Sequence, residues 1–200
     1  MVFELETKQS ERYLEESDII DWKNSLILAK VDELTEHLTG EIEKAKTLFE
    51  WVRDQIPHSK DIGSDIVTCE ASQVLKQGTG ICYAKSHLLA AMLRAVAIPT
   101  GFCYQRLCHD PPYTGHCLHG LNGVYLRDLN KWIRVDPRGN TNGVDAQFGI
   151  DKEQLAFPMD QSKGEFIYDI IFTSPARVVV DTLKRFKSRE AMWPNLPDSL

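Results

Sequence analysis

No run of apolar residues in this 200-residue sequence approaches the roughly 20 that a membrane-spanning helix needs, so no membrane span is expected. Positive charge is scarce too. The 23 Lys and Arg are outnumbered by 29 Asp and Glu, a net charge of -6, and such a composition supplies no basic surface for holding nucleic acid by its phosphates. The basic segment LKRFKSR, Leu183 to Arg189, is a local exception, read as the solvated face of a late helix whose dipole favours cations at that end. The opening MVFELETKQSERYLEESD lacks the basic and then apolar order of an export signal, so a cytoplasmic location is expected. Repeats, low-complexity tracts and Pro/Gly/Ser-rich linkers are missing as well, which predicts one domain over residues 1–200.

What the chain does contain is five cysteines, Cys69, Cys82, Cys103, Cys108 and Cys117. An odd number does not all pair internally, and thiols stay reduced in the cytoplasm, so each is to be explained as core, metal ligand or nucleophile. The rest of the sequence is 42% hydrophobic and 26% charged, ordinary for a soluble domain with a real core.

Helical periodicity dominates the N-terminal region, residues 1–57. After Gly40, residues Ile42, Ala45, Leu48, Phe49 and Val52 form one apolar stripe that ends before Pro57. The period returns from Ala84 through Leu88, Ala91, Met92 and Ala95, and Ile98-Pro99 with Gly101 stops it. Short runs rich in aromatic and β-branched residues follow, TGFCYQRL from Thr100, HGLNGVYL from His119 and KWIRVD from Lys131, the last two joined by a polar turn. A C-terminal strand and helix are expected over 165–190, with EFIYDIIF as a buried strand. Ser174-Pro175 is read as the start of the helix, which buries Val178, Val179, Leu183 and Phe186. Helices first and strands after make an α+β fold, in which a central helix headed by a cysteine packs on an antiparallel sheet.

That cysteine is Cys82, in GTGICYAKSHLLAAMLRA, Gly78 to Ala95. A thiol attacks as thiolate, which a helix N-terminus and a nearby imidazolium both favour. The glycines at 78 and 80 let the backbone turn tightly and bring an acyl group near the N–H groups of the first helical turn. Cysteine is also a common core residue, and the helix alone does not decide between packing and reaction. Downstream, His119 begins one strand and Asp136 ends the next. A thiol, a base and a carboxylate that orients the base are what nucleophilic acyl transfer requires.

The order GICYA, a strand-initial His and WIRVDP resembles the core of the transglutaminase-like superfamily, within the papain-like cysteine enzymes, over about residues 44–140. The resemblance implies an enzyme acting on amide bonds of a protein, peptide or small molecule, with Cys82 as nucleophile, His119 as base and Asp136 as its orienting partner. Water as acceptor makes it a peptidase, amidase or deamidase, and an amine makes it a transglutaminase. A catalytically silent domain binding peptides or protein partners is the second reading. Many relatives carry Trp and an acidic residue in His-Ala-Trp-x-Glu-Val, where this chain has Leu121 and Gly123. An Asp-rich calcium loop is missing, so neither calcium nor another cofactor is expected. Gln77 stands five residues before the cysteine, near the oxyanion glutamine of papain-like enzymes, and Tyr83 and Trp132 are candidates for the walls of a substrate channel.

Three alternatives stay open at this level. His116, His109 and His87 compete with His119, while His58 and His37 suit surface or core roles. Cys103, Cys108, His109, His116, Cys117 and His119 include the usual zinc ligands, in spacings that match no common zinc pattern. Finally, an ideal hairpin turning near Leu129 pairs Asp136 with about Asn122, of opposite side-chain parity to His119, so a bulge at Gly120 or Gly123 or an off-centre loop is needed.

Overall fold

The stripe bounded by Gly40 and Pro57 folds as expected. In the computed structural model, which describes residues 3–141 and 143–200, it forms helix α2 (Glu41–Gln55) and buries Ala45, Leu48, Phe49 and Val52. Helix α1 (Ser25–Thr35) precedes it, opened by the Asn24 side chain, which accepts the Leu26 N–H at 3.0 Å. Helix α3 (Ala71–Gln77) stops at Gly78, whose φ of 65° is the left-handed cap that glycine adopts without a steric penalty.

The central helix is α4 (Cys82–Ala95), buried on every face from Cys82 to Arg94. Helices α1, α2 and α3 cover it on one side, and strands β2 (Thr100–Cys108) and β3 (His116–Leu126) on the other. Full burial forces its polar residues to find internal partners. Lys85 Nζ donates to the carbonyls of Arg53, at 3.2 Å, and of Ile56. Arg94 donates to the carbonyls of Thr100 and Thr173, both at 2.7 Å, and of Glu15 at 2.6 Å.

The main sheet is antiparallel. Strand β4 (Lys131–Val135) lies at one edge beside β3, followed by β2 and the short β5 (Phe166–Ile167). A separate parallel pair joins β1 (Glu4–Leu5) to β6 (Ile170–Ile171). The α+β class is as expected, but EFIYDIIF is not one strand. Phe166 and Ile167 pair with Arg106 and Gln105, whereas Phe172 bridges Phe102, so three steps along β2 face five along the partner. The surplus arches out to meet β1, where the Glu4 N–H donates to the Asp169 carbonyl at 2.9 Å.

The last helices also depart from expectation. Helix α5 (Arg177–Arg185) begins after Ala176, without the Ser174 cap; it buries Val179, Thr182 and Leu183, and Val178 and Phe186 pack half-buried against the core. A further turn, α6 (Arg189–Met192), leads to Trp193. Among the described residues no helix is long and apolar enough to cross a membrane.

The β3–β4 hairpin resolves the parity question through its loop. Leu126 pairs with Lys131 and Asn122 with Val135, leaving the four residues 127–130 as the connection, with Asn130 in the left-handed region at φ 48°. One further step puts Asp136 level with Leu121, two residues from His119 and on the same side of the sheet. No bulge at Gly120 or Gly123 is involved: β2 pairs with β3 without a break from Thr100–Val124 to Cys108–His116.

Candidate active site

The approach to Cys82 is fixed by a lattice of short hydrogen bonds. Thr79 Oγ1 donates to the Pro57 carbonyl at 2.9 Å, Thr68 Oγ1 to the Thr79 carbonyl at 3.1 Å, and the Ser59 N–H to the Gly80 carbonyl at 3.1 Å. A Cβ on Gly80 would lie 2.9 Å from that of Ala84, so only glycine lets the loop run this close to the first turn of α4. Cys82 is the first residue of the helix, and its backbone N–H has no intrahelical acceptor.

His119, on β3, is 4% exposed, and its Nε2 donates to Asp136 Oδ2 at 2.7 Å. This leaves Nδ1 free of Asp136, and the nearby Cys82 side chain acts on the ring as a further influence on its charge. Asp136 is fully buried and accepts two backbone bonds besides, from Arg138 N–H to Oδ1 at 3.1 Å and from Ala156 N–H to Oδ2 at 3.0 Å. Burial opposes charge on both side chains. For Asp136 it is outweighed by the attraction and hydrogen bond of His119 and by the two backbone donors, and the carboxyl stays below its ordinary range. For His119 it is outweighed by the Asp136 charge and by Cys82, which hold the imidazole above its ordinary value.

These residues border a cleft of about 160 Å³ whose walls are largely apolar, with Tyr83, Leu118, Phe157, Trp193 and Leu196 among them. Phe157 stands edge-on to the His119 ring, centroids 5.0 Å apart. Of the charged side chains that line the cleft, Lys60 pairs with Asp110 and Arg138 with Asp61, while Glu165 accepts the Cys108 and Asp160 N–H groups. The chain beyond α6 closes one side, since the Leu118 N–H donates to the Pro197 carbonyl at 2.7 Å and His109 Nε2 bonds the Trp193 carbonyl at 2.9 Å.

Of the residues singled out in the sequence, Cys82, His119, Asp136 and Tyr83 come together here. Tyr83 contributes its ring, and its hydroxyl donates to the Leu118 carbonyl. Gln77 is elsewhere: it ends α3, exposed, because the turn at Gly78 carries the chain away before Cys82 is reached. Trp132 is elsewhere too. It lies four residues before Asp136, ~13 Å back along an extended strand, against Tyr13 and Tyr125 with centroids 4.8 and 5.4 Å away.

His116 bonds the Lys163 carbonyl at 2.8 Å, His87 the Cys69 carbonyl at 2.8 Å, and His37 is exposed. Cys103 is buried with Tyr13, Leu121 and Ile171, and among the described residues no three His, Cys, Asp or Glu side chains converge as metal ligands. The same packing explains Leu121 and Gly123. Ile171 lies over this face, and a Cβ on Gly123 would meet it at 2.8 Å. Sequence reasoning did miss His58, which lines the cleft. Its signal, a histidine just after the proline that ends α2, reads as a helix terminator until its pairing with Gly80 is seen.

The comparisons agree with this architecture. A solved structure from Cytophaga hutchinsonii, described as a candidate cysteine protease, superposes with a TM-score of 0.55 at 17% identity, over 66% of this chain and 43% of that one. The transglutaminase of red sea bream matches with a TM-score of 0.42 at 14% identity, over 63% of this chain and 27% of that one. The chain thus spans less than half the length of either protein. No curated protein gives a significant match. The family model of the transglutaminase-like superfamily matches residues 29–137, more than half of the sequence, and the chain belongs to that superfamily.

Proposed function

We propose that the protein is a cysteine acyltransferase or hydrolase that acts on amide bonds through Cys82, His119 and Asp136. One observation carries this reading: His119, hydrogen-bonded to Asp136, lines the same cleft as Cys82 at the head of α4 and is electrostatically coupled to it. The thiolate of Cys82 attacks the amide carbonyl, forming the C–S bond and a tetrahedral oxyanion near the first-turn N–H groups. As the C–N bond breaks, imidazolium His119 gives its proton to the departing amine, and a thioester remains. Water or a second amine then attacks the thioester, with His119 taking back the proton and Asp136 holding the ring in register throughout. The largely apolar walls suit an amide of a protein, peptide or small molecule.

The test is the rate of Cys82 alkylation by iodoacetamide against pH, in the native protein and in His119→Ala. The reading expects fast alkylation below about pH 8 that the variant loses. Reaction at the rate of an ordinary thiol, equal in both proteins, would leave a binding domain with a silent cleft.

A further inference from the structure

The oxyanion that Cys82 would generate needs a second donor beside the helix N-terminus, and the cleft contains one. We infer that His58 supplies it, donating the Nε2–H of a neutral imidazole to the carbonyl oxygen of the substrate as the thiolate adds. The inference rests on the acyl-transfer reading of Cys82.

The tautomer follows from the backbone. His58 Nδ1 accepts the Lys60 N–H at 3.3 Å, so in the neutral ring the proton sits on Nε2. That Nε2–H has no hydrogen-bond partner among the described residues, although the side chain belongs to a residue only 4% exposed that lines the same cleft as Cys82 and His119. The donor is therefore available to a group bound in the cleft.

Position is equally constrained. His58 forms a parallel bridge with Gly80, two residues before the nucleophile, and the bonds from Ser59 and Thr79 tie this segment to the loop that launches α4. Trp193 stands edge-on to the ring, with centroids 6.2 Å apart and planes at 88°, and Lys60 Nζ lies 5.0 Å over the indole from another side. The imidazole is therefore clamped before substrate arrives, as electrostatic stabilisation without reorganisation requires.

The ring also stays neutral. Burial first, then the positive charges of Arg138, Lys85, His119 and Lys60, hold it well below the ordinary imidazole range. A neutral imidazole donates one hydrogen bond to an oxyanion, and a neutral histidine electrophile is an established catalytic device. It adds no further positive charge to a cleft that already holds Lys60, Arg138 and His119. In the step itself the C–S bond forms, the carbonyl π pair moves to oxygen, and His58 keeps its proton. On collapse that pair returns, the C–N bond breaks, and the proton that leaves comes from His119.

Two reactions of the same thiol separate this role from the parent reading. Alkylation by iodoacetamide displaces iodide and develops no oxyanion, whereas acylation by p-nitrophenyl acetate passes through a tetrahedral oxyanion. His58→Ala is expected to slow the p-nitrophenolate burst about 100-fold while alkylation at the same pH changes by less than about threefold. His58→Gln, which keeps a side-chain N–H, is expected to recover part of the burst and guards against an alanine variant that does not fold. Equal losses in both reactions would show a structural effect on the Cys82–His119 pair and overturn the inference, as would an undiminished burst in His58→Ala. Failure of the parent reading is seen separately, in native protein whose Cys82 shows neither fast alkylation nor a burst, and it removes this inference as well.

Discussion

Tyr83 and Gly120, the residues that follow Cys82 and His119 in the chain, touch so closely that no side chain fits between them. A Cβ on Gly120 would lie 2.9 Å from Tyr83 Cδ1 and 3.4 Å from Tyr83 Cα. The distance between α4 and β3, and with it the span from thiol to imidazole, is thus set by a missing methyl group. The Tyr83 hydroxyl, bonded to the Leu118 carbonyl, fastens the same two elements one residue to the other side of His119.

Gly120→Ala is therefore expected to push the strand off the helix. Overpacking of this kind costs about 1–3 kcal/mol, and the shift also moves His119 away from Cys82. A urea titration and the rate of Cys82 alkylation near neutral pH should both fall. Native stability together with native alkylation would show that the spacing does not depend on this contact.

Alkylation should also be selective. Burial pushes the thiols of Cys69, Cys103 and Cys117 up to about 12, so at neutral pH they are thiols rather than thiolates. One equivalent of iodoacetamide is expected on Cys82 before any of these three, read by peptide mass spectrometry. Early label on Cys117, which lines the same cleft, would contradict this ordering.

Asp136→Asn tests the ion pair through its pH dependence. The carboxylate accepts bonds from His119, Arg138 and Ala156, and an amide in its place turns an NH₂ toward one of those donors, at about 1–3 kcal/mol. The folded-state value of Asp136 is depressed, so its contribution is present above the ordinary carboxyl pKa of about 3.9 and lost as pH falls through the lower folded value. His119 is raised, so its contribution is full below about pH 6.5 and lost as pH climbs through the higher folded value. The difference in melting temperature between native protein and variant should therefore be widest between these limits and close below about pH 4. A gap that persists unchanged into acid would mean that the charge of Asp136 is not what the variant removes.

Much of this site was legible because its signals are local. Two glycines ahead of a helical period mark Cys82, and alternating strands mark His119 and Asp136. The hairpin register was not, since it depends on whether residues 127–130 hold a four-residue loop with Asn130 left-handed. Trp132, a candidate channel wall, shares its strand with Asp136, but a strand carries its residues apart in space as fast as in sequence. Gln77 failed for a similar reason, closeness in sequence being undone by one turn at Gly78. EFIYDIIF has the composition of a single strand, and its division reflects competition between β1 and β2 for its backbone, a tertiary choice that composition does not encode. His58 depends on a pairing between two distant loops.

Lys85 supplies a last test, of the scaffold under the site. Its amino group is fully buried and caps the end of α2 through the carbonyls of Arg53 and Ile56. Burial and the repulsion of Arg138 pull its pKa down to about 7 against the attraction of Asp136, Asp61 and Asp54, whereas in the unfolded chain it returns to about 10.4. Between those values the unfolded state binds more protons, so this residue makes the fold more stable as pH rises, the reverse of His119. Lys85→Met removes both the slope and the cap. The variant should lose little at neutral pH, where the native protein still bears the cost of a charged buried amine, and progressively more toward about pH 10, where the native amine is neutral and still donates to the two carbonyls. Urea midpoints across this range give the comparison directly, and a native-to-variant difference that does not grow with pH would place the charge of Lys85 in water rather than in the core.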